Sequence, residues 1–132
     1  MGNLTTNLSR SEFACKCGCG FDTVDIGLPG IIQAAVNHFQ EKNPGMRIQV
    51  RINSGNRCAE HNKVEGGSDG SWHVKSRAAD IVIYDGISGT YIIASKVADY
   101  FDFTYPDSHG IGRYHGRTHI DNRKSKARWD TT

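Results

Sequence analysis

The sequence has no apolar run that approaches the ~18 residues needed to span a membrane, so a transmembrane protein is excluded. Residues Met1–Arg10 are polar and contain no apolar signal core, which leads us to expect synthesis in the cytoplasm without a signal peptide. The net charge is only +2, too small to indicate a nucleic-acid partner but compatible with an anionic polymer. Internal repeats, linkers and low-complexity tracts are also absent, and 132 residues suit a single domain, 1–132.

Cysteine is scarce and unevenly placed. Three of the four cysteines are Cys15, Cys17 and Cys19, and the fourth is Cys58. They are too few and too bunched for the disulfide framework of a small secreted protein. Their spacing also differs from the two-residue spacing usual in zinc-binding knuckles. Three states stay open at this level: a second, structural zinc ion, a disulfide in an oxidising compartment, or reduced thiols that pack a loop.

Hydrophobic periodicity predicts an α+β fold, with a mostly antiparallel sheet flanked by two or three helices. Helical spacing of apolar residues marks 28–43, a short helix at 59–64, and a helix that is capped at 88–90 and ends near residue 101. Alternating or continuous apolar residues mark strands at 48–52, 78–84, 110–114 and 117–122, the last two joined by a hairpin turn at 115–116. Residues 1–10 are predicted to be a loose arm, and the basic tail from Arg123 is assigned no regular structure.

Two histidines and one aspartate are candidate metal ligands. His73 ends a glycine-rich loop, Asp80 follows seven residues later in an apolar strand, and His119 lies on the last predicted strand. Burial of the aspartate among apolar residues is costly unless its charge is compensated. Two histidines and a carboxylate form a three-ligand zinc set that leaves one position open, the pattern of catalytic zinc sites. The spacing alone leaves open that the histidines are ordinary surface or capping residues.

Several ordered motifs resemble those of the zinc D-Ala-D-Ala carboxypeptidases, also called peptidase family M15, which share a fold with the hedgehog signalling domain. The segment 71–80, Ser-Trp-His-Val-Lys-Ser-Arg-Ala-Ala-Asp, is similar to the family signature Ser-x-His-x-x-Gly-x-Ala-x-Asp. Residues 54–58 resemble the family segment Ser-Gly-Tyr-Arg-Ser/Cys. Residues 110–112 and 119–121 resemble its Gly-Ile-Gly and His-Val-Asp strands. The thiol-rich segment 13–20 and the closing Arg-Trp pair are similar to a small single-domain branch found in phage and prophage genomes.

The resemblance implies a role for each matching residue. His73, Asp80 and His119 would bind one catalytic Zn²⁺, Arg57 would stabilise negative charge on the substrate, and Ser71 would help to position it. The implied activity is hydrolysis of D-amino-acid-containing peptide bonds in bacterial peptidoglycan, of the carboxypeptidase or endopeptidase (endolysin) type. The expected partners are peptidoglycan stem peptides, without nucleic acid or membrane, and the protein is expected to be a monomer that reaches the cell wall on phage lysis.

Two positions depart from the family pattern. The signature glycine is replaced by Ser76, so the turn between the ligands is made by a residue with a Cβ atom. Many relatives carry a carboxylate three residues before the second ligand histidine, and others carry a histidine two residues before it. Those positions are Gly116 and Arg117 here, so the usual general base is absent.

Asp121 is the predicted substitute for that base, because residues two apart on a strand share a face and Asp121 would point to the same side as His119. Two alternatives stay open: Asp121 orients the ligand histidine, or His115 is the base. The absent base also favours a second hypothesis, in which the chain is a catalytically inactive, zinc-containing module that binds the cell wall or belongs to a phage particle.

Overall fold

The computed structural model describes residues 4–20, 22, 24–64, 71–73, 75 and 77–132. A short 3-10 helix, Arg10–Phe13, precedes the regular elements. The α-helices are α1 (Gly27–Lys42), α2 (Ala59–Val64) and α3 (Ala94–Thr104). The strands are β1 (Ile48–Ser54), β2 (Ala78–Asp85), β3 (Gly110–Arg113), β4 (Thr118–Asp121) and β5 (Ala127–Asp130). Among the helices of these residues, none has the length and apolar character needed to cross a membrane.

The five strands form one sheet in the order β1-β2-β4-β3-β5. Neighbouring strands are antiparallel except for β3 and β5, which are parallel. The predicted α+β fold with a mostly antiparallel sheet is therefore confirmed. Pairing of β2 with β4 places Asp80 directly opposite His119, and this register brings two of the candidate ligands together.

The hydrophobic core lies where α1 and α3 pack against one face of the sheet. Because side chains alternate along a strand, Ile81 and Ile83 of β2 enter this core while Asp80 points to the opposite face. Full burial of an aliphatic or aromatic side chain of this size contributes about 1.5–3 kcal/mol. The helical residues that supply the buried stripe are Leu28, Ile32, Ala35, Val36, Phe39, Val97, Ala98 and Phe101.

The N-terminal segment is packed rather than loose over its described part. Leu8 is fully buried in the core, and the side chains of Thr5 and Asn7 hydrogen-bond to Gln33 of α1. The carboxylate of Glu12 accepts a hydrogen bond from the Ser9 N–H at 2.6 Å. A single leucine within a polar stretch carries no periodicity, which is why the sequence pattern indicated a free arm.

Helix α3 begins at residue 94, later than the predicted cap at 88–90. The Ile92 N–H donates to the carbonyl of Ile83 at 2.8 Å, so the preceding residues extend the sheet along β2. Ser88 donates its hydroxyl to Asp85 at 2.8 Å, and the Asp85 N–H donates to the carbonyl of Thr90. The polar residues that resembled a helix cap therefore close a turn around a buried carboxylate.

Substitution of Leu8 by alanine is expected to lower the free energy of unfolding by about 2–5 kcal/mol, since it leaves a cavity in the core. Leu4→Ala is the matched control, because Leu4 is 36% exposed and its truncation should change that free energy by less than about 0.5 kcal/mol. Urea unfolding followed by circular dichroism measures both variants. Equal midpoints for the two would show that Leu8 contributes no core packing.

Candidate metal centre

The three predicted metal ligands meet in the structure, and all of them are buried. His119 Nδ1 lies 3.0 Å and His73 Nε2 lies 3.4 Å from the same carboxylate oxygen, Oδ1 of Asp80. One donor atom from each residue lies within 4.8 Å of the others. In a tetrahedral zinc site with bonds of about 2.0–2.2 Å, donor atoms are about 3.3 Å apart. The separations therefore fit a single zinc-sized ion.

Each ligand histidine is fixed by a hydrogen bond at its other ring nitrogen. His73 Nδ1 lies 2.7 Å from the carbonyl oxygen of Gly55. A carbonyl only accepts hydrogen bonds, so Nδ1 carries the proton and Nε2 keeps its lone pair toward Asp80. His119 Nε2 lies 2.8 Å from Oδ2 of Asp121, which likewise leaves Nδ1 as the donor atom on the metal side. Such outer partners are typical of metal-binding histidines, and the donor set fits zinc on this ground also.

The pKa values of Asp80 and His119 depend on burial and on the contacts between the charged groups. Burial raises the pKa of Asp80, but its close polar contacts with His119 and His73 outweigh burial and hold that pKa below its ordinary value. Burial lowers the pKa of His119, whereas hydrogen bonds to Asp121 and Asp80 raise it, and the net pKa is raised. A cation at this point, whether proton or metal ion, compensates the buried carboxylates. Protons and metal therefore compete for His119, and metal affinity falls as the pH falls.

Asp121 lies behind His119, away from the metal-facing donor atoms. The carboxylate is fully buried. Its Oδ1 accepts hydrogen bonds from the Gly110 N–H at 3.0 Å and from Arg123 Nε at 2.8 Å. Its Oδ2 accepts from Arg123 Nη2 at 2.7 Å as well as from His119. A general base must reach the attacking water. With both oxygens engaged on the far side of the imidazole, Asp121 is placed to orient His119 instead.

The second carboxylate oxygen of Asp80 faces two guanidinium groups. Arg57 Nη2 lies 3.4 Å from Asp80 Oδ2, and Arg117 Nε lies 3.8 Å from it. Arg57 is steadied by the hydroxyl of Ser54 at 3.1 Å and the amide oxygen of Asn62 at 3.4 Å. The structure thus brings Arg57 to the metal group, as the family resemblance implied. It also places Arg117 there, a residue to which the sequence assigned no role.

The remaining residues singled out in the sequence are Ser71, Ser76, His115 and Gly116. The Ser71 hydroxyl accepts a hydrogen bond from the His73 N–H at 3.2 Å, a contact that steadies the ligand turn. Ser76 lies outside the described residues. His115 and Gly116 are exposed at the turn between β3 and β4, and a Cβ atom at residue 116 would meet nothing within 4 Å.

Trp129, the tryptophan of the closing Arg-Trp pair, lies beside one of the candidate ligands. Its ring centroid lies 4.7 Å from that of His119, and its Nε1 donates to the hydroxyl of Tyr114 at 2.9 Å. Strand β5 carries it into register with Gly112, where a Cβ atom would lie only 2.4 Å from the indole nitrogen. The glycine at that position could have signalled a close neighbour, but nothing in the sequence named the tail as its source.

Asp121→Asn should weaken zinc binding about 10–100-fold, because an amide supports the His119 ring less well than a carboxylate. Competition with a chromophoric chelator measures the affinity directly. Asp99→Asn is the control: it makes the same chemical change at a carboxylate whose side chain is 69% exposed and forms an ion pair with Arg113. Wild-type zinc affinity in Asp121→Asn, together with lost hydrolysis, would restore Asp121 as the base.

Comparison with known proteins identifies the family to which the chain belongs. The family model described as peptidase M15 matches residues 6–121. This range contains the buried His73–Asp80–His119 group and Arg57, and it ends before β5. Neither the comparison with curated proteins nor that with solved structures found a match. Because the family model covers most of the 132 residues, the chain belongs to the peptidase M15 family.

Proposed function

We propose that this protein is a zinc-dependent peptidase that hydrolyses D-amino-acid-containing peptide bonds of bacterial peptidoglycan. The observation that carries the proposal is the buried His73–Asp80–His119 group, with one free donor atom per residue, in a chain of the peptidase M15 family. Zinc bound there supplies a Lewis acid that polarises the scissile carbonyl and lowers the pKa of water. Action at the cell wall after phage lysis belongs to the same proposal.

Positive charge beside the metal group supports an anionic substrate. Arg57 and Arg117 both approach Oδ2 of Asp80, so two guanidinium groups lie beside the metal group. Stem peptides end in a carboxylate, which a guanidinium binds through paired hydrogen bonds. We assign Arg57, whose side chain is only 13% exposed, to the oxyanion that forms on the scissile carbonyl. Arg117, whose side chain is 43% exposed, is assigned to the substrate carboxylate.

A cavity that Arg117 connects to the metal group offers room for the peptide. A cavity of about 440 Å³ is lined by Arg117, His115 and Tyr91 together with apolar residues of β2 and of the segment before α3. Arg117 lines this cavity, and its guanidinium also approaches Asp80 of the metal group. Further cations gather over the indole of Trp72, where the Lys75 ammonium lies 4.4 Å from the ring centroid. These features favour an extended, negatively charged peptide over a neutral one.

His115 is the residue to which we assign the general base. It is exposed, and it lines the same cavity as Arg117, whose guanidinium approaches Asp80. In this role it accepts a proton from the attacking water and returns it to the leaving amine.

A catalytically inactive module that binds the cell wall is the second candidate. Gly116 is the observation that favours it, because the hairpin offers no carboxylate at the position where many relatives carry one. The two functions differ in whether the zinc-loaded protein changes the covalent structure of peptidoglycan.

Digestion of purified peptidoglycan should release new muropeptides when the protein is loaded with zinc and none after treatment with a chelator. Mass spectrometry of the products identifies the bond, distinguishing loss of a terminal D-alanine from cleavage of a cross-link or of the L-Ala-D-Glu bond. His119→Ala, which removes a ligand, should behave like the chelated protein. Binding to cell walls with no change in the muropeptides would favour the inactive module.

His115→Ala is expected to lower kcat by about 10²–10⁴-fold, since a general base contributes on that order, while zinc content stays unchanged. His38→Ala is the matched control, because His38 lies on α1, where its ring contacts Tyr100 with a centroid distance of 4.6 Å. Steady-state kinetics and elemental analysis measure both variants. Near-normal kcat in His115→Ala would assign the proton transfer to another group.

A further inference from the structure

The four cysteines, which lie outside the His–Asp–His group, converge in the structure. Cys15, Cys17 and Cys19 belong to the loop after the 3-10 helix, and Cys58 immediately precedes α2. All four sulfur atoms lie within 4.8 Å of one another. The Sγ–Sγ distances are 3.4 Å from Cys15 to Cys17, 3.6 Å from Cys17 to Cys58 and 3.9 Å from Cys15 to Cys58. Sulfur atoms so distant in sequence meet only because the N-terminal segment docks beside α2.

These distances distinguish between the three states that the sequence left open. A disulfide needs a sulfur–sulfur bond of about 2.05 Å, and all four cysteines are free. Loop packing does not account for the cluster, because Cys17 and Cys19 are exposed and gain little from burial of their thiols. A tetrahedral zinc ion with zinc–sulfur bonds of about 2.3 Å requires sulfur atoms about 3.8 Å apart. The observed spacing matches that arrangement.

The backbone around the sulfur atoms suits thiolate ligands. The Cys58 N–H donates to Cys15 Sγ at 3.4 Å, and the His61 N–H donates to Cys58 Sγ at 3.4 Å. Gly18 and Gly20 have φ values of +82° and +88°, a backbone conformation that a side chain would strain. The two glycines let the short loop turn so that cysteines two residues apart reach a common point.

We propose that Cys15, Cys17, Cys19 and Cys58 bind a second zinc ion in a tetrahedral, four-thiolate site with a structural role. Four protein ligands close the coordination shell and leave no position for substrate, as in structural zinc sites. Thiolates are soft ligands that select zinc over magnesium or calcium. The proposal concerns metal content and does not depend on the reaction assigned to the other site.

The second ion would stabilise the chain segment that positions two residues of the proposed catalytic site, Arg57 and His73. Arg57 adjoins Cys58 in the chain, and the Asn56 N–H donates to the carbonyl of Phe13 at 2.8 Å. A Cβ atom on Gly55 would lie 2.7 Å from the Phe13 backbone, so the backbone at residue 55 is in direct contact with the backbone at residue 13. The carbonyl of Gly55 in turn holds His73 Nδ1. A metal ion that ties the cysteine loop to residue 58 therefore fixes both the oxyanion arginine and a ligand histidine.

Elemental analysis of the folded, full-length protein purified under reducing conditions tests the proposal. We expect two zinc ions per chain in the wild type and one in each of Cys17→Ser and His119→Ala. The first variant changes an exposed residue, so its core packing is preserved. One zinc ion in the wild type that disappears in His119→Ala would overturn the proposal. Two zinc ions retained in Cys17→Ser would also overturn it.

Cobalt substitution provides a readout that needs no variant. Cobalt bound by four thiolates gives intense sulfur-to-metal charge-transfer absorption, whereas cobalt bound by histidine and aspartate alone does not. We expect that absorption in the wild type and in His119→Ala. Its absence from both, a disulfide found by mass spectrometry of the natively purified chain, or a coloured protein that contains iron would each overturn the zinc assignment. Hydrolysis is measured separately, so loss of the proposed peptidase activity and loss of this site are distinguishable.

Discussion

The buried carboxylate of Asp80 is the charge on which the structure of the site depends. It lies in the apolar strand β2 with its side chain only 6% exposed, where an uncompensated charge would cost several kcal/mol. Oδ1 faces the two ligand histidines, and Oδ2 faces Arg57 and Arg117. The compensation comes from four residues in three different segments of the chain. The fold is therefore stabilised by the same contacts that assemble the metal group, and a change in one affects the other.

Support for the metal group extends outward through a second set of contacts. His73 is fixed by the Gly55 carbonyl, whose segment packs against Phe13, and His119 is fixed by Asp121. The N-terminal segment and the β3–β4 strands thus both support the metal group. Because one ring nitrogen of each ligand histidine is committed to an outer partner, the other is oriented before a metal binds, which favours affinity and a defined geometry.

Much of the fold was predictable from local pattern. The periodicity of α1, β1 and β2 is strong because each buries one face, or in β2 both faces, against the core. Three features were not predictable in this way. Leu8 has no periodic partner, the start of α3 is displaced because residues 91–92 pair with β2, and β5 is four residues long with no fully buried side chain. In each, long-range packing overrides a weak local signal.

The sequence by itself indicated which residues form the metal group, because its motifs resemble those of the M15 peptidases, and His73, Asp80 and His119 do meet in the structure. Only the tertiary structure decided what the neighbouring residues do. Strand alternation correctly placed Asp121 on the face of His119, but its oxygens are taken up by Arg123 and the Gly110 N–H behind the ring. Likewise, sequence spacing left the cysteines unassigned until docking of the N-terminal segment brought Cys58 to the loop. A side chain's role depends on which atoms surround it, and those atoms come from segments that are distant in the chain.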